Sequence, residues 1–171
     1  YLAALEKSVR KHWEKHVPLG EKDRLLISFH GLPKRNLELG DPYFCECHKT
    51  GRLLTERLNL KPEQFKITFQ SRFGKAEWLQ PYTAPTLHQM GSEGVNRVDV
   101  ICPGFVADCL ETLEEIAQEG RDDFIVAGGK EFNYIPALNE DEHWIKALAS
   151  LVERHLAGWD SKAALNPHAL E

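Results

Sequence analysis

The stretch RLLISFHGLP, residues 24–33, decides the fold class. It opens with a short apolar run of strand length, which is typical of a strand that is buried on both faces of a parallel sheet. The Gly-Leu-Pro that follows His30 is a turn signal. We therefore predict a buried strand over residues 24–29, with His30 immediately after it.

Helical and strand patterns alternate on both sides of this strand. Residues 1–16 place apolar side chains three and four positions apart, which predicts an amphipathic helix. The later strands are predicted at 65–69, 97–102 and 124–126, and the later helices at 42–58, 84–92, 106–119 and 140–157. The order αβαβαβαβα predicts an α/β fold, namely a doubly wound, mostly parallel sheet with helices on both faces.

Two details of these helices can be checked directly. Gly120 is a good residue to end the helix over 106–119, because glycine adopts the left-handed conformation that follows many helices. The last helix is expected to bury Trp144, Leu148, Leu151 and Val152.

The chain has 171 residues, which suits one domain or one lobe of a larger protein. We expect an α/β lobe over residues 1–158 and a tail over residues 159–171, where the periodicity is lost. The final Leu170-Glu171 could have been added in cloning. The first helix has no strand before it, so we expect the chain to begin inside a natural protein.

Composition excludes several classes of protein. The chain has 21 Lys and Arg against 26 Asp and Glu, a net charge of −5, whereas a nucleic-acid surface needs a basic excess. No apolar stretch reaches the ~18 residues of a membrane span, and the charged first residues do not resemble a signal peptide. We therefore expect a cytoplasmic protein with no nucleic-acid partner and no transmembrane segment.

The four cysteines are too few for a disulfide framework, and no C-x2-C pair occurs among them. We predict no iron–sulfur cluster and a reducing compartment. Cys45-x-Cys47-His48 lacks a second ligand cluster, so its thiols are expected to be structural. His12 and His16 also lack a third ligand, which favours a solvated face over a metal pair.

The segment after Pro103-Gly104 carries a row of carboxylates. At ~100° per residue, its four members fall within an arc of about 80°: Asp108, Glu111, Glu115 and Glu119. Such a row is often a solvated face. It also begins just past the carboxyl end of a strand, where open α/β sheets bind ligands, and its hard oxygen donors suit a divalent cation.

His30 stands at the same edge of the predicted sheet. A histidine at a strand end is often structural, but imidazole can also accept a proton near neutral pH or bind a borderline metal. We therefore predict a His30–Glu111 pair across a cleft. Trp78, in a loop, is either a core residue or a flat wall for a flat ligand.

Four stretches occur in a family order: LISFHGLP at 26–33, TFQSRFG and WLQPY within 68–82, CPGFVADCLETLEEI at 102–116, and YIPALN at 134–139. Together they resemble the C-terminal half of ferrochelatase, of bacterial type. This lyase inserts ferrous iron into a porphyrin, protoporphyrin IX, to form haem. The resemblance implies a Rossmann-like, chelatase-like lobe and no cofactor beyond the substrate Fe²⁺.

The resemblance also assigns site residues, position by position. His30 and Glu111 match the catalytic and metal-handling pair. Asp108, Glu115 and Glu119 match acidic positions of a metal or proton path, on a helix that usually has a π-type distortion. Trp78 and Phe105 match aromatic residues of the porphyrin-binding surface. Cys109 stands where many relatives have a second histidine, so the resemblance does not support a second imidazole at that position.

The expected partners are porphyrin and ferrous iron as substrates, and the missing N-terminal half of the same protein. That half would supply one wall of the porphyrin cleft, so the isolated chain is expected to fold but not to turn over. Two alternatives stay open: a chelatase that inserts cobalt into another tetrapyrrole, and a non-enzymatic α/β module that binds metal. The cobalt enzymes generally use paired histidines, whereas this chain has one at the relevant strand end.

Overall fold

The computed structural model describes residues 1–159. Four strands within them form one sheet. All strand pairs are parallel, and the order is β2-β1-β3-β4. The strands are β1 (Asp23–His30), β2 (Phe65–Gln70), β3 (Arg97–Ile101) and β4 (Glu131–Ile135). Strand order reverses between β1 and β3, and in open α/β sheets ligands bind at the carboxyl ends of strands at such a point.

Helices precede, separate and follow the strands, which confirms the predicted α/β fold. They are α1 (Leu2–His16), α2 (Lys34–Glu38), α3 (Tyr43–Leu58), α4 (Thr83–Ser92), α5 (Leu110–Leu113), α6 (Arg121–Val126) and α7 (Glu142–His155). A 3-10 turn covers Pro62–Gln64, and a π-helical segment covers Glu115–Gly120. No helix among residues 1–159 is both long enough and apolar enough to cross a bilayer.

Alternate residues of β1 enter two separate cores, because successive side chains of a strand point to opposite faces. Leu25, Ile27 and Phe29 pack with buried residues of α1 and α3. Leu26 packs with buried residues of α4, β3 and α6 on the other face. Helices therefore cover both faces of the sheet, as the doubly wound prediction requires.

The predicted strand over 124–126 is wrong. These residues belong to α6, and the fourth strand lies further along the chain at Glu131–Ile135. Phe124 is fully buried but Val126 is 84% exposed, a pattern that a helix produces and a central strand does not. The real strand was hidden because Glu131 and Asn133 interrupt its apolar residues.

The predicted helix over 106–119 also differs from the structure. Regular α-helix begins only at Leu110, changes to π-helix at Glu115 and continues as α6 to Val126. Gly120 is helical, with φ −60°, so it does not end the helix. A Cβ on Gly120 would lie 3.0 Å from Leu87 of α4, so the glycine serves close helix packing.

The last helix is shorter than predicted, and its predicted burial is wrong. None of the residues of α7 is buried. Trp144 is half-buried, while Leu148, Leu151 and Val152 are 37%, 43% and 47% exposed. The predicted tail lies outside the described residues, apart from Trp159.

Candidate active site at the carboxyl edge of the sheet

His30 is the last residue of β1, and its backbone and ring are both fixed by hydrogen bonds. Its carbonyl accepts from the Tyr43 hydroxyl at 2.8 Å. Its Nδ1 lies 2.6 Å from the Gly31 carbonyl oxygen, and a carbonyl can only accept, so Nδ1 carries the hydrogen. In the neutral ring this leaves Nε2 with a lone pair for a proton or a metal.

Two aromatic side chains flank the His30 ring. The centroid of Trp78 lies 6.1 Å away and that of Phe105 6.2 Å away, with interplanar angles of 45° and 50°. Both rings are partly exposed. The imidazole is thus set into an apolar surface that a flat ligand can cover.

Gly31 allows Trp78 to approach this edge. Its N–H donates to the Gln70 carbonyl at 2.8 Å, which joins the chain after β1 to the end of β2. A Cβ at this position would lie 2.9 Å from the Gln70 carbonyl oxygen and 3.0 Å from Cε3 of Trp78. A side chain here would therefore push the tryptophan away from His30.

Glu111 lies in the first turn of α5, after an extended Cys109 with φ −149°. A hydrogen bond from the Cys109 thiol lowers the pKa of the Glu111 carboxyl. A backbone hydrogen bond and the charge of His30 act in the same direction, against a desolvation effect that raises it. Glu111 is therefore a stable carboxylate at neutral pH.

Gln70, at the end of β2, holds the π-helical segment in place. The segment contains an i→i+5 bond, from Glu119 N–H to the Glu114 carbonyl, at 2.9 Å. Where the α-helical pattern is lost, the Gln70 side-chain amide donates to the Glu111 carbonyl at 2.6 Å. The other end of that amide accepts from the Ser28 hydroxyl at 2.8 Å. Gln70 is buried, so it ties the backbone of Glu111 to the sheet.

Glu115 is tied to the same strand end. Its carboxylate accepts from the Ser71 N–H at 2.6 Å and from the Ser71 hydroxyl at 2.7 Å. The Gln70 amide lies 3.3 Å from the second oxygen of that carboxylate. Ser71 has φ 63°, so the chain turns sharply where it meets Glu115.

Asp108 has its carboxylate fully engaged with the surrounding chain. It accepts from the Tyr134 hydroxyl at 2.6 Å, the Asn139 amide at 2.7 Å, the Thr112 hydroxyl at 3.1 Å and the Ala137 N–H at 3.2 Å. Burial alone would raise the pKa of Asp108, but these hydrogen bonds lower it below its usual value. Asp108 therefore fastens the loop before Glu111 to the chain after β4.

A shallow acidic groove of about 360 Å³ opens beside this edge. It is lined by residues of the loop after β2, of α5 and of the π-helical segment: Ser71, Arg72, Phe73, Leu110, Glu111, Glu114, Glu115 and Glu119. Three of the four carboxylates of the predicted row thus share one groove. Asp108 does not line it, because its side chain points to Tyr134 and Asn139.

The sequence predictions missed the residues that support this site, above all Gln70, Ser71, Tyr134 and Asn139. A signal was present for the first two. They follow β2, and the carboxyl ends of parallel strands meet at one edge of a sheet. Nothing in the sequence pairs Tyr134 and Asn139 with Asp108, because those contacts depend on how the chain folds after β4.

A larger groove, about 680 Å³, lies elsewhere. It runs between α1 and the segment 132–141, and neither His30 nor Glu111 lines it. His12 and His16 do, with stacked rings 4.3 Å apart. His16 is exposed as predicted, but the His12 side chain is only 11% exposed and its Nε2 lies 3.8 Å from Asp99.

All four cysteines are free thiols. Within residues 1–159, no three His, Cys, Asp or Glu side chains are already arranged to hold a metal ion. The His30–Glu111 edge is instead an open site where an imidazole, a carboxylate and two aromatic rings meet. It can accept a proton, attract a cation and stack on a flat molecule.

Comparison with known proteins agrees with this arrangement. A family model described as Ferrochelatase matches residues 1–156. The chain is 81% identical over 171 residues to the ferrochelatase of Dechloromonas aromatica (strain RCB), which covers all of this chain and 47% of that protein. It is 65% identical over 159 residues to that of Janthinobacterium sp. (strain Marseille), covering 93% of this chain and 42% of that protein.

A third relative, the ferrochelatase of Herminiimonas arsenicoxydans, is 61% identical over 171 residues, which is all of this chain and 45% of that protein. The chain spans about half the length of the curated relatives it matches. The match to the family model nevertheless extends over almost all of the described residues. The chain belongs to the ferrochelatase family.

Proposed function

We propose that the full-length protein inserts ferrous iron into a porphyrin, protoporphyrin IX, to form haem, and that this chain is its C-terminal half. The observation that carries the proposal is His30 set between Trp78 and Phe105, with Glu111 at the same edge. A porphyrin is flat, carries two pyrrole N–H protons and must meet a cation. Membership of the family supports the same reaction.

The reaction exchanges one Fe²⁺ for two protons on the macrocycle. Nε2 of His30 has the lone pair needed to accept a pyrrole proton, because Nδ1 is held as a donor to Gly31. Glu111 is suited to the complementary task. Its lowered pKa keeps it ionised, so it attracts the incoming Fe²⁺ and replaces part of its hydration shell. The two protons leave to solvent as the metal binds the four ring nitrogens.

Trp78 and Phe105 would hold the macrocycle over His30. Both are partly exposed, so a porphyrin face that covers them gains apolar contact. Binding energy from such contacts can be used to bend the ring toward the geometry in which its nitrogens meet the metal.

The acidic groove provides a route for cations or protons between solvent and the site. Glu115 and Glu119 continue the line from Glu111 along its wall. Asp108 belongs to the same predicted path, and its four hydrogen bonds support a role in holding the loop that carries Glu111.

We further propose that iron is handled only as a substrate, with no resident cofactor, and that the protein works in the cytoplasm. The cysteines support the second point, because free thiols persist in a reducing compartment. The other half of the protein would form the opposite wall of the cleft. Relatives about twice as long as this chain support that half.

The test is anaerobic metallation of protoporphyrin IX by the full-length protein. His30→Ala and Glu111→Gln are each expected to lower kcat roughly 10²–10⁴-fold. Cooperative unfolding should be retained, because both side chains stand at an open edge. His88→Ala and Glu56→Gln, which change exposed residues on α4 and α3, are matched controls and should keep full activity.

Two results would contradict the assignment: near-normal turnover by His30→Ala, or wild-type protein that metallates only a sirohydrochlorin-type substrate with Co²⁺. Metal binding without any porphyrin binding would favour a non-enzymatic module.

Glu119→Gln tests the route for cations or protons separately. It should raise the apparent KM for Fe²⁺ while kcat is unchanged, whereas Glu93→Gln at the end of α4 should leave both unchanged.

A further inference from the structure

The groove of about 680 Å³ between α1 and the segment 132–141 has a basic side. Six residues of α1 line it, in pairs that are about one helical turn apart: Lys7, Ser8, Lys11, His12, Lys15 and His16. The three lysines are exposed. Within residues 1–159, none of the three forms an ion pair. We call these three side chains the lysine row.

The two carboxylates that line the groove, those of Glu140 and Asp141, stand at one end of it. A hydrogen bond from the Trp144 N–H lowers the pKa of Asp141, and the charge of Lys7 acts in the same direction, so Lys7 lies near this carboxylate. Lys11 and Lys15 lie one and two turns further along α1. The far end of the groove therefore has a basic side that no acidic lining residue of the described chain offsets.

The other side of the groove is the outer edge of β4. Four consecutive residues of this strand, 132–135, line the groove, although successive side chains of a strand point to opposite faces. A groove lined in this way follows the edge of a strand and not one of its faces. β4 is the last strand of the sheet and pairs only with β3 among residues 1–159.

The outer edge of β4 has main-chain groups without a partner. The Glu131 N–H donates toward β3, to the Asn96 carbonyl at 3.1 Å. Alternate residues of a paired strand direct their N–H and C=O groups to opposite sides, so those of Phe132 and Tyr134 point away from β3. No hydrogen bond from residues 1–159 reaches these groups. Such an edge is a template for a further strand.

The spacing of the lysine row matches that of a strand. Its members are four residues apart, which is about 6 Å along a helix. Every second side chain of a strand lies on the same face, at intervals of about 6.6–6.8 Å. α1 also runs along the strands, because Tyr1 bonds to Pro103 at the carboxyl edge and His16 to Arg97 at the amino edge. A strand added to β4 would thus present alternate side chains to successive lysines.

We propose that this groove binds an extended acidic segment of a partner protein, which adds to β4 as a fifth strand and directs an Asp or Glu at every second position toward the lysine row. Main-chain hydrogen bonds would supply the pairing, and the charges would supply selectivity. The net charge of the chain is −5, so the lysine row is a local feature and not part of a generally basic surface. The inference does not rest on the proposed function, because neither His30 nor Glu111 lines the groove.

The first test is fluorescence anisotropy of the full-length protein with a labelled heptapeptide in which Thr and Glu alternate. One control peptide has the same composition with its three Glu residues consecutive. The other keeps the alternation but has every main-chain N–H methylated. The alternating peptide should bind with a Kd below about 100 μM, and each control at least about tenfold more weakly. Equal binding of the methylated peptide would indicate an anion site without strand pairing and would overturn the proposal, as would no binding of the alternating peptide.

A matched pair of variants tests the lysine row. Lys11→Glu reverses one charge of the row, and Lys49→Glu reverses the charge of an exposed lysine on α3. At about 0.15 M salt, Lys11→Glu should weaken binding of the alternating peptide at least about tenfold, because charges further away than the Debye length are screened. Lys49→Glu should change it less than about twofold. Equal effects of the two variants would contradict the proposal.

Hydrogen exchange locates the bound peptide. The peptide should slow exchange of the Phe132 and Tyr134 amides by about tenfold or more. Exchange of β2, the strand at the opposite edge of the sheet, should not change. Protection of β2 instead of β4 would refute the assignment of the peptide to this groove.

Two further outcomes would identify a different occupant. If this chain alone binds the peptide but the full-length protein does not, the N-terminal half covers the groove and the proposal is wrong. If the full-length protein is a dimer that Lys11→Glu converts to a monomer, a second copy occupies the edge and the proposal is again wrong. None of these readouts uses porphyrin or iron. A full-length protein that binds the peptide but makes no haem would therefore overturn only the proposed function.

Discussion

Gln70 shows how a single buried amide can position two carboxylates. One end accepts from Ser28 in β1, while the other donates to the Glu111 carbonyl and approaches Glu115. Gln70 acts through the residues that it holds and not through a reaction of its own amide. It fixes the π-helical segment relative to the strand that ends at His30, so the spacing of His30 and Glu111 depends on it.

Gln70→Glu should be strongly disruptive although the two side chains have almost the same shape. The carboxylate cannot donate to the Glu111 carbonyl, and it brings a second negative charge toward Glu115. We expect a loss of about 1–3 kcal/mol in the free energy of unfolding at pH 8. The loss should shrink toward pH 6, because burial raises the pKa of the new carboxyl and its protonated form can donate.

The measurement is urea denaturation of the full-length protein at both pH values, together with kcat for metallation. Gln118→Glu, at an exposed amide, is the control and should change stability by less than about 0.5 kcal/mol. A Gln70→Glu variant as stable as this control at pH 8 would show that the amide does not hold the segment.

The individual site residues were predictable to different degrees. His30 and Glu111 stand directly after strands or at a helix start, where sequence and family motifs agree, and the structure brings them to one edge. Asp108 was grouped with them by helical spacing. The spacing argument assumed a helix from residue 106, but the helix begins at Leu110, so Asp108 turns toward Tyr134 instead.

At the scale of elements, the docking of α1 depends on a buried charge. Asp99 in β3 is fully buried and accepts from Trp13 at 2.8 Å and from Asn133 at 3.0 Å. Its carboxylate also lies 3.3 Å from Nε of Arg97. This cluster joins α1, β3 and β4.

Asp99→Asn should destabilise the protein by about 3 kcal/mol at pH 7, because it removes the nearer of the two carboxylates that pair with the buried Arg97, the other being Asp23 at 3.9 Å. Burial alone would raise the pKa of Asp99, but the nearby His12 ring, hydrogen bonds from Asn133 and Trp13 and the charge of Arg97 lower it. The carboxylate therefore contributes stability above its unfolded pKa of ~3.9. That contribution is lost as the pH falls through the lower folded value.

The measurement is chemical denaturation of wild type and Asp99→Asn between pH 8 and pH 3. The difference between them should be constant down to about pH 5 and should shrink below about pH 4. Glu56→Gln, in an exposed pair with Arg52, should cost less than about 0.5 kcal/mol throughout. A difference that grows on acidification would refute this account of Asp99.

Elements with strong periodicity were predicted well, and those shaped by tertiary contacts were not. α1, α3, α4 and the first three strands follow from apolar patterns alone. The region from 106 to 135 does not, because a short apolar run such as 124–126 fits a strand or a helix equally well. The helix is favoured over a strand here because Phe124, as part of α6, packs in the core against α4 and the sheet.

At the scale of the whole molecule, the topology of the sheet explains where the site lies. The strand order reverses between β1 and β3, and His30 and the loop that leads to Glu111 follow those two strands. The sequence predicted the alternation and the parallel sheet. It could not predict that the apolar side chains of α7 stay exposed in the described chain. Periodicity identifies an apolar face but not the surface that covers it.

This chain alone should fold cooperatively but metallate protoporphyrin IX at less than about 1% of the full-length rate. Packed cores lie on both faces of its sheet, whereas under the proposed function His30, Trp78 and Phe105 supply only one wall of the porphyrin cleft. Calorimetry and an anaerobic metallation assay of the two proteins, side by side, measure both points. Comparable turnover by the chain alone would mean that one wall suffices.

The bond from the Tyr1 hydroxyl to the Pro103 carbonyl has a mechanical consequence. Pro103 stands two residues before Phe105, so this bond connects the start of α1 to the loop that carries Phe105. A rotation of α1 would be transmitted to this loop through the bond between Tyr1 and Pro103. A displacement of α1 would therefore move the loop that carries Phe105.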